Sequence, residues 1–191
     1  WERTLDEALS YDPDRLAVFA YAHVPWIAPA QKILESKELP SADLRLELLV
    51  RSIEKIQQNG YEYIGMDHYA KPDDELSVAL KNGTLHRNFQ GYSTHADHEI
   101  VAFGMSAISQ TASTFRQNYK DLETYYEAVE ANRWPVERAY RLSQDDLRRR
   151  AVIMEIMCQG RIDFEAMSAR IEVDFQPYFE AELAQLDQFE A

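Results

Sequence analysis

The sequence predicts an α/β fold with buried parallel strands, followed by a mainly helical part. Residues 15–22 and 99–105 are apolar on both faces, which is typical of parallel strands that lie between two layers. A third strand-like segment, residues 61–66, follows a long helical pattern. The first part of the chain is therefore predicted to contain a β-strand, α-helix, β-strand unit.

The predicted helices in this first part begin and end at suitable residues. The helix at 42–58 has Ser41 as an N-cap, an apolar stripe, and Gly60 beyond its end. A second helix, at 73–81, is entered through Pro72. Both patterns support the α/β prediction.

Helical patterns dominate the rest of the chain, at 120–131, 145–158, 164–171 and 178–188. Ser143 and Asp146 resemble a capping box at the start of the second of these helices. That helix is apolar almost all round, so we expect it to lie at the centre of a helical cluster. We place a domain boundary near Asn118, which gives domains 1–118 and 119–191.

Composition narrows the class of protein. The chain has 33 acidic and 20 basic residues, a formal net charge of −13, which opposes binding to nucleic acid or an anionic membrane surface. No apolar run approaches the roughly 20 residues that span a bilayer, and no leader pattern is found. We predict a cytoplasmic protein with no membrane or nucleic-acid partner. Because the chain begins at Trp1 without an initiator methionine, we expect an incomplete piece.

Cys158 is the only cysteine of the sequence and lies in the apolar run 151–158. A cysteine in such a run is typically buried and unreactive. The sequence therefore predicts an inert thiol and no disulfide framework.

Polar side chains gather where the predicted strands end. The first strand runs into His23, the second into Asp67 and His68, and the third into a serine-containing segment. Because ligands bind at the carboxyl ends of parallel strands, these ends predict one rim of a site. The polar loop at 85–97 contains aromatic residues and Gly91, and it suits a flat or heterocyclic ligand.

Two other kinds of site are weighed against this one. Six side chains could bind a divalent ion: Asp67, His68, His86, His95, Asp97 and His98. Their spacing lacks a helical i,i+4 pair, so we predict no metal site. No Gly-x-Ser-x-Gly elbow surrounds a serine, and no glycine-rich phosphate loop is found, which disfavours a serine hydrolase and a nucleotide phosphate site.

Two long motifs carry a family resemblance. They are YIGMDHYAKPDDEL at 63–76 and NGTLHRNFQGYSTHAD at 82–97, supported by PDRL at 13–16, YAHVPW at 21–26, GMSAIS at 104–109 and LSQDDLRR at 142–149. With these motifs the chain closely resembles the oxygen-independent coproporphyrinogen III oxidases. The resemblance covers nearly the whole chain.

That resemblance implies a radical S-adenosylmethionine enzyme and an incomplete parallel (β/α) barrel of the radical SAM type, here its later half. In this family a [4Fe-4S] cluster cleaves S-adenosylmethionine, and two propionates of coproporphyrinogen III become vinyls in the synthesis of protoporphyrinogen IX for haem. The family's cluster needs three cysteines, so its ligands are not in this chain. We expect the chain alone to be inactive and the parent to be monomeric.

The resemblance also implies site residues. A second S-adenosylmethionine site would use Ala22, Phe89, Gln90 and Ile108. Candidates for binding substrate carboxylates are His23, Asp67, His68, Arg87 and His95, and no catalytic residue is assigned. A haem-binding or haem-transferring relative of the family is the alternative function, and a metal-dependent hydrolase comes third.

Overall fold

The computed structural model describes residues 1–37, 39–96 and 98–189. It consists of two compact units, Trp1–Asn82 and Gly83–Ala191. Both helices and strands occur in each unit, as an α/β prediction requires. The domain boundary predicted near Asn118 differs from the division into these two units and remains a prediction.

In its described residues, 1–37 and 39–82, the first unit contains three α-helices, one 3₁₀ helix and three short strands. In chain order they are α1 (Glu2–Ser10), β1 (Arg15–Ala17), a 3₁₀ helix (Pro29–Ser36), α2 (Ala42–Gln58), β2 (Glu62–Gly65), β3 (His68–Ala70) and α3 (Glu75–Lys81). The predicted bounds and N-cap of α2 are confirmed, since Ser41 Oγ accepts a hydrogen bond from Leu44 N at 3.2 Å. Helix α3 begins two residues later than predicted because Asp74 caps it through Leu76 N.

The strands of the first unit form a sheet in the order β1-β3-β2. Strand β3 is antiparallel to both neighbours, so β1 and β2 run in the same direction but are not paired with each other. The sequence prediction missed β3, which lies where a polar loop was expected. Gly65 and Met66 have positive φ values of +152° and +51°. This backbone conformation lets the chain reverse direction, so that β3 pairs antiparallel with β2.

The predicted first strand was too long. It is a strand only at Arg15–Ala17, and Val18 N then donates to Asp67 O at 2.8 Å. Phe19 and Tyr21, expected in a buried strand, are exposed. The core of the unit consists of Leu5, Ile56, Tyr61 and Tyr69, and Leu16 and Val18 of the predicted strand pack against it.

The second unit begins with strands and ends with helices. Its elements are β4 (His86–Asn88), β5 (Gly91–Ser93), β6 (Ile108–Gln110), β7 (Thr114–Asn118), α4 (Leu122–Glu130), β8 (Val136–Arg141), α5 (Gln144–Gln159), α6 (Phe164–Ile171), α7 (Phe175–Tyr178), α8 (Glu180–Leu186) and a 3₁₀ helix (Asp187–Phe189). Strands β4 and β5 form a hairpin, and β6-β7-β8 form a sheet. In the part of the chain that the structure describes, all strand pairs are antiparallel.

The strand predicted at 99–105 is wrong. Only Ile100 pairs there, in an isolated bridge to Gln110. The next backbone donors bond to side chains, because Ala102 N donates to Ser109 Oγ at 3.0 Å and Gly104 N to the Tyr125 hydroxyl at 3.1 Å. A backbone whose donors go to side chains cannot build a ladder, and Phe103 is 88% exposed.

The helical patterns after α4 are largely confirmed. Ser143 and Asp146 form the predicted capping box of α5, and α6 has the predicted bounds. The pattern at 178–188 corresponds to α8 and the final 3₁₀ helix, and the short helix α7 before it was not predicted. Val152 on α5 belongs to a core with side chains of the following helices, namely Met167, Ile171, Phe175 and Phe179.

Helix α5 contributes Val152 to the helical core, in agreement with the expectation that it lies within a helical cluster. It is not buried all round, since Ile153 and Ile156 are 57% and 50% exposed. Among the described residues, no helix combines the length and the apolar character that a membrane crossing requires.

Candidate functional site

The segment after β1 is held by one side chain that the sequence did not single out. Gln31 Nε2 donates to the Ala22 carbonyl at 3.2 Å, and Val24 N donates to Gln31 Oε1 at 2.6 Å. This two-point contact fixes the backbone on both sides of His23, while the Ala22 side chain stays exposed.

His23 lines a cavity of about 260 Å³ within the first unit. Its Nδ1 lies 3.4 Å from the Tyr21 hydroxyl and its Nε2 3.9 Å from Glu35 Oε1. The cavity wall is mostly apolar, with Arg45 as its cationic residue. Such a wall suits the apolar part of a small ligand that carries a negative group.

Asp67 and His68 are brought together at the turn between β2 and β3. Asp67 Oδ1 lies 2.8 Å from His68 Nδ1, and both side chains are about one-fifth exposed, at 20% and 23%. The Phe19 ring meets the imidazole edge to face at 6.2 Å. A carboxylate in this position orients the imidazole ring.

The predicted loop at 85–97 contains the β4–β5 hairpin. The structure places Phe89 and Gln90 in its two-residue turn, between the paired residues Asn88 and Gly91. Asn88 Oδ1 accepts a hydrogen bond from Gln90 N at 2.8 Å, which is the bond of an Asx turn. Phe89 and Gln90 are exposed at the tip.

Asn88 and Gln31 were missed by sequence reasoning. For Asn88 a signal existed, because Asn-Phe-Gln-Gly has Asn and Gly at the outer positions of a turn. For Gln31 no local signal existed, since its contacts reach back along the chain to Ala22 and Val24.

Ile108 lies in β6, opposite Gln117 of β7. It is half-buried, whereas the next two residues of the strand, Ser109 and Gln110, are buried. Ile108 shares the second unit with Phe89 and Gln90, whereas Ala22 lies in the first unit.

The metal hypothesis finds no support in the described residues. His95 and His98 meet edge to face, with ring centroids 4.9 Å apart, and His95 N donates to Ser93 Oγ at 3.0 Å. Asp97, a candidate ligand, lies outside the described residues. Across ranges 1–37, 39–96 and 98–189, no three His, Cys, Asp or Glu side chains are grouped to bind a metal ion.

The thiol of Cys158 is buried, as predicted. Burial raises its pKa to about 11, an effect that the nearby Arg87 partly opposes. A thiol of this kind is protonated at neutral pH and is a poor metal ligand. One such thiol does not fit an iron–sulfur cluster, which is bound by several thiolates.

Comparison with known proteins shows which proteins this chain is similar to. Residues 142–190 match the family model of the HemN C-terminal domain. Named oxygen-independent coproporphyrinogen III oxidase, the relative from Synechocystis is 42% identical over 100% of this chain and 42% of its own length. The relative of the same name from Salmonella typhimurium is 43% identical over 94% of this chain and 39% of its own length.

A solved structure agrees with these relatives. It is described as "Coproporphyrinogen III oxidase (HemN) from Escherichia coli is a Radical SAM enzyme", with a TM-score of 0.93 and 40% identity, covering 98% of this chain and 43% of that one. This likeness confirms the predicted fold class, a mixed helix and sheet part followed by a helical part. The parallel strand pairs that the sequence predicted are not found, since the described strand pairs are antiparallel. The chain spans about two fifths of the length of the Synechocystis relative. Over its whole length, the chain is therefore similar to a segment of the oxygen-independent coproporphyrinogen III oxidases.

Proposed function

We propose that the protein containing this chain is an oxygen-independent coproporphyrinogen III oxidase. It would convert two propionates of coproporphyrinogen III to vinyls by radical oxidative decarboxylation, giving protoporphyrinogen IX in tetrapyrrole synthesis. The observation that carries this proposal is 42% identity over the whole chain to an oxidase of that name. We also infer a monomeric, cytoplasmic parent.

The cofactor S-adenosylmethionine, when bound, supplies the radical that removes hydrogen from a propionate. Residues of this chain suit part of its site. The exposed Phe89 ring offers a face for adenine stacking, and the Gln90 amide both donates and accepts hydrogen bonds. Ile108 and Ala22 would add apolar surface and backbone groups.

Cluster ligands must come from elsewhere in the parent, because the one thiol of this chain is buried. We therefore assign no step to an iron–sulfur cluster within these residues. This chain would instead bind and orient S-adenosylmethionine and the substrate.

Substrate carboxylates would be bound by histidines at the strand ends and in the loop. His23, His68 and His95 are the candidates, with Asp67 orienting His68 through the 2.8 Å contact. These side chains offer nitrogen donors to the propionates of an acidic substrate. Arg87 was a further candidate by resemblance, but its guanidinium lies against the Tyr92 ring, so we propose the histidines as the donors.

The test uses the full-length protein that contains this chain, reconstituted anaerobically with iron, sulfide and S-adenosylmethionine. We expect loss of coproporphyrinogen III and release of two CO₂ for each protoporphyrinogen IX. A reconstituted protein that cleaves S-adenosylmethionine but leaves the substrate intact would remove the substrate assignment. A stoichiometric haem complex without oxidase activity would favour a haem-handling relative instead. The 191-residue chain alone should remain inactive under the same conditions.

A further inference from the structure

The β4–β5 hairpin turns one face toward the last turns of α5. Arg87 and Tyr92 are directly opposite each other in the ladder, and directly opposite residues of an antiparallel pair project from the same face. Between them in sequence lies the turn that carries Phe89 and Gln90. The anchored face and the exposed turn thus belong to one rigid element of six strand residues and two turn residues.

Tyr92 joins this face to the helix. Its hydroxyl donates to the Met157 carbonyl at 2.8 Å, and Met157 is the third residue from the end of α5 at Gln159. Carbonyls in the last turn of a helix have no partner within the helix. The hydrogen bond therefore satisfies an acceptor that would otherwise need water.

Arg87 lies beside Tyr92. Its guanidinium carbon is 4.8 Å from the centroid of the Tyr92 ring. Its positive charge also acts to lower the pKa of Cys158, near the end of α5. Arg87 Nη1 is buried and has no hydrogen-bond partner among the described residues. Burying a cationic nitrogen without an acceptor costs stability, which the aromatic face and the negative end of the helix dipole offset.

The turn is fixed from its own side as well. The Asn88 side chain holds Gln90 N at 2.8 Å, and Gly91, buried with φ at +140°, adopts a backbone conformation that favours glycine. Phe89, in contrast, is 62% exposed. An aromatic ring that is exposed in this way adds little to the core and leaves its face open to a ligand.

We propose that Arg87 and Tyr92 are positioning residues, which anchor the hairpin to α5 and so hold the Phe89–Gln90 turn ready for a flat, adenine-containing ligand. Arg87 then acts through the turn and does not bind a substrate carboxylate. The identity of the ligand rests on the proposed function, whereas the anchoring does not.

The first measurement is amide hydrogen exchange in the 191-residue chain. The variants are Arg87→Met, Arg87→Lys and Tyr92→Phe, with Arg138→Met and Tyr126→Phe as matched controls at exposed positions. We expect Gln90 to exchange about tenfold faster in Arg87→Met and about fivefold faster in Tyr92→Phe, from the loss of a cation–π contact and of one hydrogen bond. Arg87→Lys should restore part of the protection, since an ammonium can also lie over the ring.

Exchange of the Val152 amide, in the helical core around α5, shows whether a variant loosens only the hairpin turn or lowers the stability of the whole unit. Unchanged exchange at Val152 with faster exchange at Gln90 supports the proposal. Equal acceleration at both amides, or no acceleration at Gln90 in any of the three variants, would overturn it.

The second measurement is equilibrium binding of S-adenosylmethionine to the full-length protein. We expect Arg87→Met to weaken the binding of S-adenosylmethionine about tenfold, the same factor by which exchange at Gln90 increases. The control variants Arg138→Met and Tyr126→Phe should leave this binding unchanged. Unchanged binding despite a loosened turn would overturn the link to the ligand. Failure of the unmodified protein to bind S-adenosylmethionine would instead contradict the proposed function, and the exchange results would still decide the anchoring.

Discussion

The Tyr178 hydroxyl donates a 2.6 Å hydrogen bond to Asp145 Oδ1, which ties α7 to the first turn of α5. The other carboxylate oxygen, Oδ2, accepts from Arg149 Nε at 2.8 Å. Arg149 also reaches Glu182 of α8 at 2.6 Å. This network links three helices of the second unit through two carboxylates and one guanidinium.

Replacing Tyr178 with Phe should lower the thermal midpoint of the chain by about 3 °C, because one hydrogen bond to a partly exposed carboxylate is lost while the ring remains packed. The measurement is thermal unfolding followed by circular dichroism. Tyr126→Phe is the control, since Tyr126 is an exposed residue of α4. Equal midpoints for both variants would show that the bond contributes no stability.

Acid should destabilise the second unit through Asp145. The hydrogen bond from Tyr178 and the contact with Arg149 lower the pKa of Asp145 below its ordinary value of 3.8. A carboxyl whose pKa is lowered in the folded state contributes stability above its unfolded pKa and loses that contribution as pH falls through the folded pKa. Stability should therefore decline from about pH 4 downward.

The Asp145→Asn variant tests this link, because asparagine does not titrate. Denaturant unfolding from pH 6 to pH 2 should show a shallower loss of stability in the variant than in the unmodified chain. Parallel curves would assign the acid sensitivity to other carboxyls, such as Asp146, whose pKa is also lowered, first by its hydrogen bonds with Ser143.

Phe175 should be indispensable to the helical core. It is 3% exposed and lies between the rings of Phe164 and Phe179, at centroid distances of 4.6 and 4.9 Å. Phe175→Ala should cost about 4 kcal/mol, from lost burial and the cavity that remains. Urea unfolding measures this cost, and Phe103→Ala, at an exposed position, should change stability by less than about 0.5 kcal/mol.

Cys158 should resist alkylation in the folded chain. Its thiol is buried and its pKa is raised to about 11, so little thiolate is present at neutral pH. Treatment with iodoacetamide at pH 7.5, followed by mass spectrometry, should leave the folded chain unmodified and label the urea-unfolded chain completely. Rapid labelling of folded protein would contradict the inert thiol.

Local sequence determined the helices well because their signals lie within a few residues. Ser41 and the Ser143–Asp146 pair are bonded as the sequence predicted, since a capping side chain needs only the next turn of backbone. The candidate residues Asp67 and His68 also lie in contact, as adjacent residues at one turn. The family resemblance could be recognised from the motifs at 63–76 and 82–97, because a long motif is identified by the order of its residues and does not require knowledge of strand pairing.

Strand pairing depended on tertiary structure. The apolar segment at 99–105 is no strand, while the polar residues of β7 lie at the centre of a three-stranded sheet. Whether a segment joins a ladder depends on which distant backbone lies beside it, and hydropathy contains no such information.

The sequence by itself determined helices α2 to α6, the buried thiol and a family resemblance, whereas α1 and the 3₁₀ helix at Pro29–Ser36 were not predicted. Only the tertiary structure decided that β3 lies between β1 and β2, and that Arg87 lies over the Tyr92 ring, whose hydroxyl bonds to α5. The physical reason is the sequence separation of the contacts. A helix cap depends on residues within one turn, whereas the contact between Tyr92 and Met157 joins residues 65 positions apart.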